Sequence, residues 1–94
     1  MNAEYLLSKI NELKTKQEQI KYAIDNIDEL NAINFIFKRS DNDTLNFVYS
    51  KSKGDSFLYE LQRIYLNHLQ NKYDETDSAL KLLHDIALNI NKKD

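Results

Sequence analysis

From Ala3 onward the seam of apolar positions steps alternately by four and three. Leu6, Ile10, Leu13, Gln17, Ile20, Ile24, Ile27 and Asn31 form a heptad stripe, with the polar Gln17 and Asn31 at one class of seam position. This spacing predicts a helix over about 3–33. Its polar intrusions would fix register and partner number at some cost in stability.

The period then changes to two. Ile33, Phe35 and Phe37 alternate with Asn34, Ile36 and Lys38, and Leu45, Phe47 and Tyr49 alternate with Asn46, Val48 and Ser50. Aromatic and β-branched residues in this alternation predict two strands and a hairpin over about 34–50. The intervening "SDNDT" is turn chemistry, with Asn42 suited to a left-handed conformation. An odd loop of three or five residues keeps the aromatics on one face. It pairs Phe37 with Leu45 or Phe47, and Phe35 with Phe47 or Tyr49.

"KGDS" ends the hairpin: Gly54 breaks the chain, and Asp55 or Ser56 caps the next helix. Leu58, Leu61, Tyr65, Leu69 and Tyr73 follow a helical stripe. "DETDS" at 74–78 gathers poor helix formers and good N-caps. It predicts a break between helices over about 56–73 and 76–91, with one helix of roughly 35 residues as the alternative. Leu80, Leu83, Ala87 and Ile90 continue the apolar pattern, and "NKKD" is read as a frayed tail.

The expected fold is therefore a mostly helical α+β domain spanning 1–94. A long N-terminal helix and a two-stranded antiparallel hairpin precede one or two C-terminal helices packed antiparallel, in the order α-β-β-α-α. A chain of 94 residues buries roughly 60–65% of its unfolded surface, so its core is modest. The heptad stripe suggests completion of that core in a homo-oligomer.

Composition narrows the chemistry. The chain has no cysteine, no proline and one glycine. Thiol nucleophiles, disulfides and cysteine-ligated zinc are excluded, and so are glycine-rich phosphate loops, whose backbone must approach the ligand closely. His68 and His84 are too far apart for a zinc-helix motif. "DNDTLN" starts like a calcium loop with Asp41 and Asp43, but lacks the third ligand, the glycine and the acid at position twelve. No serine lies in a glycine-flanked nucleophile turn, and the paired acids sit at helix surface or cap positions. No enzyme activity, metal or cofactor is expected. The N-terminus lacks a signal-peptide core and no apolar run approaches ~20 residues, so the expected location is cytoplasmic and off the membrane.

Charge separates three regions. Residues 1–37 carry four bases against six acids, 38–53 four against two, and 54–94 five against seven. Lys38, Arg39, Lys51 and Lys53 thus make a small basic island among aromatics, a pattern that binds single-stranded nucleic acid by stacking and phosphate pairing. The first expectation is that those lysines guard an exposed sheet edge while the aromatics cover the helices, with a protein-binding surface second and a nucleic-acid face third. Apolar residues on both hairpin faces also favour a protein neighbour: Phe35, Phe37, Phe47 and Tyr49 on one face, Ile36 and Val48 on the other. Glu18, Asp25, Asp28 and Glu29 are the candidate acidic surface.

Eleven asparagines, and eleven lysines against two arginines, point to a low-GC bacterial, phage or mobile-element genome. The order helix, hairpin, helix is similar in outline to prefoldin subunits, which implies an assembling hairpin and projecting helical arms. Size, acidity and absent catalytic motifs are similar to those of small phage proteins that inhibit host defence, anti-CRISPR proteins among them. The leading expectation is a non-catalytic protein-binding module, of the kind by which a phage or mobile element inhibits a host defence nucleoprotein, acting through acidic helices and an aromatic hairpin. The alternatives are an oligomer that binds nucleic acid or nucleotides, and a prefoldin-like holdase or structural coiled coil.

Overall fold

The computed structural model describes residues 2–92. Helix α1 spans Ala3–Asp25, strand β1 Ala32–Ser40, strand β2 Asp43–Ser50 and helix α2 Ser56–Lys92. Short 3-10 turns at Ile27–Glu29 and Lys51–Lys53 make the corners before β1 and before α2. The helix–hairpin–helix order is the expected one. The chain divides into two compact units: residues through Asp25 with those from His68 on, and Asn26–Asn67.

In the first unit the heptad stripe of α1 is filled from within the chain. Leu6, Ile10 and Leu80 form the buried cluster, and Leu13, Leu83, Ile86, Ala87 and Ile90 pack against it. Farther along α1, Gln17 meets Asp77. Partners on α2 fall in number as those on α1 rise, so the two helices run antiparallel. The seam from Leu6 to Gln17 is thus lined by α2.

Helix α1 ends at Asp25, not near residue 33. Asp25, Asp28 and Glu29 oppose the negative end of the helix dipole, and no basic residue occupies the last turn. The 3-10 turn closes with Glu29 N–H on the Asn26 carbonyl at 2.9 Å and Leu30 N–H on the Ile27 carbonyl at 3.1 Å. Two side chains then satisfy freed carbonyls: Gln62 Nε2 donates to Ile27 O at 2.6 Å, and Lys51 Nζ donates to Asp28 O. Asn31, placed by its spacing on the helical seam, instead accepts the Lys51 N–H at 3.0 Å and starts the hairpin.

The expected break at "DETDS" does not occur; α2 runs unbroken for 37 residues, about 55 Å. The polar residues that would compete for backbone groups are satisfied in helical geometry. Thr76 is buried, and its hydroxyl donates to Lys72 O at 2.7 Å. Gln17 Nε2 donates to Asp77 Oδ1 at 3.4 Å, and Lys81 lies 3.1 Å from the other Asp77 oxygen. With Thr76 included, Leu69, Tyr73, Thr76, Leu80, Leu83, Ala87 and Ile90 form an uninterrupted heptad. Helix persists through Lys92; the remainder of the expected frayed tail, 93–94, lies outside the described residues. Tyr65, placed on the apolar stripe by its spacing, is exposed.

At the second corner Gly54 adopts φ 69°, the left-handed conformation that β-carbon sterics disfavour in other residues. Asp55 Oδ2 accepts the Ser50 N–H at 2.9 Å, while the Asp55 carbonyl accepts the Leu58 N–H at 3.1 Å and opens α2. Leu58 is fully buried.

Candidate functional site

Ile33 pairs with Tyr49, Phe35 with Phe47, and Phe37 with Leu45. This is one of the two registers expected, and it gathers the aromatics on one face as the alternation requires. Ring edges meet ring faces along the diagonals: Phe35 with Tyr49 at 5.9 Å and Phe37 with Phe47 at 5.8 Å. Tyr49 continues the series onto Phe57 of α2 at 4.9 Å. Near the tip the register shifts between Lys38 and Ser40, so Arg39 forms a bulge and Ser40 pairs with Asp43 around Asp41–Asn42. Asn42 is not left-handed; among the described residues, no non-glycine has positive φ.

The outer aromatics are open to solvent. Phe35, Phe37, Leu45 and Phe47 are 40, 57, 40 and 49% exposed, and on the opposite face Ile36 and Val48 are 63 and 42% exposed. Only Ile33, Tyr49 and Ser50, at the base of the hairpin, are shielded. Neither Ala32–Phe37 nor Thr44–Ser50 contains a charged side chain.

The basic residues do not guard these strands. Lys38 lies 3.5 Å from Asp41, and Arg39 3.0 Å from Asp43, so the tip neutralises itself. Lys51 and Lys53 lie in the 3-10 turn beyond the base, with the Lys51 ammonium engaged by the Asp28 carbonyl. At ~3.3 Å per residue the two basic pairs are about 20 Å apart along the hairpin. The structure therefore divides the basic island in two.

The acidic candidates also fall into two sets. Glu18 and Asp25 are seven residues apart on α1, on one exposed line of the helix. Between them stands Lys21, paired with Asp25 at 3.5 Å. Asp28 and Glu29 are exposed in the 3-10 turn of the second unit.

The Asp77 carboxyl is held below its ordinary value by hydrogen bonds from Lys81 and Gln17, reinforced by the Lys81 charge. His68 and His84 are exposed on α2, and among the described residues no three metal-ligating side chains converge. No described helix is long and apolar enough to cross a membrane. Comparison with protein-family models, with curated proteins and with solved structures returns no match. The exposed hairpin is thus the feature that most needs a physical reason. Alternation alone had marked its faces, but not that both would remain open.

Proposed function

We propose that the protein is a non-catalytic protein-binding module whose hairpin is the anchoring surface. The observation that carries this reading is the aromatic face of β1 and β2, open to solvent and without a charged residue from Ala32 to Phe37 or from Thr44 to Ser50. Exposed apolar patches rimmed by polar residues mark protein contacts, and aromatics are enriched where binding energy concentrates. Phe35, Phe37, Phe47 and Tyr49 are the anchors. Glu18, Asp25, Asp28 and Glu29 supply acidic contacts that steer association toward a basic surface. A phage or mobile-element inhibitor that occupies a host nucleoprotein's nucleic-acid surface is the form of this function that suits those acids.

The test is capture from a lysate of a low-GC bacterium with three baits: the native chain, a Phe35→Ser/Phe37→Ser/Phe47→Ser variant, and one with Glu18, Asp25, Asp28 and Glu29 each changed to Lys. Circular dichroism confirms that all three retain their helices. A specific partner held by the native chain and lost from both variants is the expected result. Identical captures by all three baits would refute the assignment of these residues.

A further inference from the structure

We infer that the occupant of the hairpin's aromatic face is a second copy of this chain, stacked face to face about a two-fold axis. The inference rests on the reading of the hairpin as an anchoring surface, and it assigns that face to a second copy in place of a basic host protein.

The first ground is area. The exposed fractions of Phe35, Phe37, Leu45 and Phe47 amount to roughly 350 Å² of apolar side chain. Apposing two copies removes roughly 700 Å² from water, before the flanking Ile33 and Tyr49 are added. That falls short of the roughly 1,000 Å² of a stable interface and corresponds to a weak, transient dimer.

The second ground is charge. Lys38 and Arg39 are answered within the tip by Asp41 and Asp43, leaving the hairpin with no net charge. A surface with no net charge does not repel its own copy. Two-fold apposition asks only that one patch complement itself.

The third ground is the hairpin itself. A two-stranded sheet is marginal in water, and uncovered strands without charges along them invite association. Here the usual defences are confined to the ends of the strands. Stacking two hairpins about 10 Å apart makes a small sandwich in which the rings interdigitate. The face bearing Ile36 and Val48 remains outward.

The experiment measures mass by sedimentation or light scattering from about 1 to 100 µM, the range in which an interface of this size changes state. Native protein, Phe37→Lys and Ile36→Lys are compared, with helical circular dichroism as the folding control. The expected result is a native monomer that becomes a dimer across this range. Phe37→Lys weakens the dimer at least about tenfold, whereas Ile36→Lys leaves it nearly unchanged. A chain without cysteine also permits a clean second readout. Oxidation should cross-link Leu45→Cys and not Val48→Cys. A native monomer at 100 µM overturns the inference, as does equal loss in both lysine variants, which would indicate strand-edge pairing. If the protein is monomeric but the triple-serine variant still loses its lysate partner, the copy is refuted and the binding module stands. If neither mass nor capture depends on the rings, both readings fall.

Discussion

Asp74→Ala separates two accounts of the C-terminal half by the sign of its effect. In a chain broken near residue 74, Asp74 would be an N-cap, and its loss would cost about 1 kcal/mol within a range of 0.5–2. In the continuous α2 it is an exposed interior residue. There the substitution exchanges a weak helix former for the strongest one, a gain of roughly 0.5 kcal/mol. The difference between the accounts is about 1.5 kcal/mol. At 4–8 °C per kcal/mol for a chain of about this length, that is roughly 6–12 °C in Tm. Thr76→Val provides the companion measurement. The lost hydroxyl forfeits its bond to Lys72 O, worth about 0.5–1.5 kcal/mol, while the added methyl recovers about 0.8 kcal/mol by burial. The Lys72 carbonyl keeps its ordinary helical partner, so the net change should lie within about 1 kcal/mol of zero. Urea and thermal melts followed at 222 nm read both variants. Destabilisation by 1 kcal/mol or more in Asp74→Ala would refute the continuous helix.

Two further outcomes test how the units are built. Leu58→Ala should cost about 2–5 kcal/mol in a urea melt, since Leu58 is fully buried; a loss below 1 kcal/mol would contradict that burial. The Asp77 interaction should appear in stability against pH. Its carboxyl is lowered in the folded chain by Lys81 and Gln17, so the unfolded state binds the proton more tightly. The resulting stability is present above the ordinary value near 3.8 and is lost as pH falls through the lower folded value. Asp77→Asn should flatten that part of the profile below pH 4, and an unchanged acid limb would show that the contact does not persist in solution.

Alternation and heptad spacing are local signals, and the features they govern were legible. The hairpin register follows from keeping Phe35, Phe37, Leu45, Phe47 and Tyr49 on one face, and the α1 stripe is inward from Leu6 to Ile24. What failed depended on partners distant in sequence. The end of α1 is set partly by Gln62 and Lys51, which take carbonyls 35 and 23 residues away. "DETDS" was misread because its turn-forming residues were judged by propensity alone. The seven-residue interval from Tyr73 to Leu80, with Thr76 in the seam position between them, was the signal that the heptad continues. The basic island looked coherent because Lys38 and Lys51 flank the same hairpin, yet an extended strand carries them to its two ends.

The same comparison locates the chain's unmet requirement. A heptad stripe normally asks for another helix, and here α2 supplies it within the chain. Even the polar seam residue Gln17 has its partner, Asp77. A hairpin with two apolar faces also asks for a neighbour, and only its base receives one, through Tyr49 and Phe57. The outer rings therefore retain an exposed area whose removal from water remains favourable. The stretches of strand that carry those rings, Ala32–Phe37 and Thr44–Ser50, bear no charge that would oppose association. Assembly through the heptad seam and assembly through the hairpin consequently make different predictions for one pair of substitutions. Leu13→Ala should lower stability without altering a dimer's affinity, because Leu13 packs inside the helix pair. Phe37→Lys should lower affinity while the helices keep their stability. Sedimentation and urea melts on the two variants would have to move in opposite pairs. Coupled loss of mass and stability in Leu13→Ala would return the heptad stripe to the interface and remove the physical basis for assigning it to the hairpin.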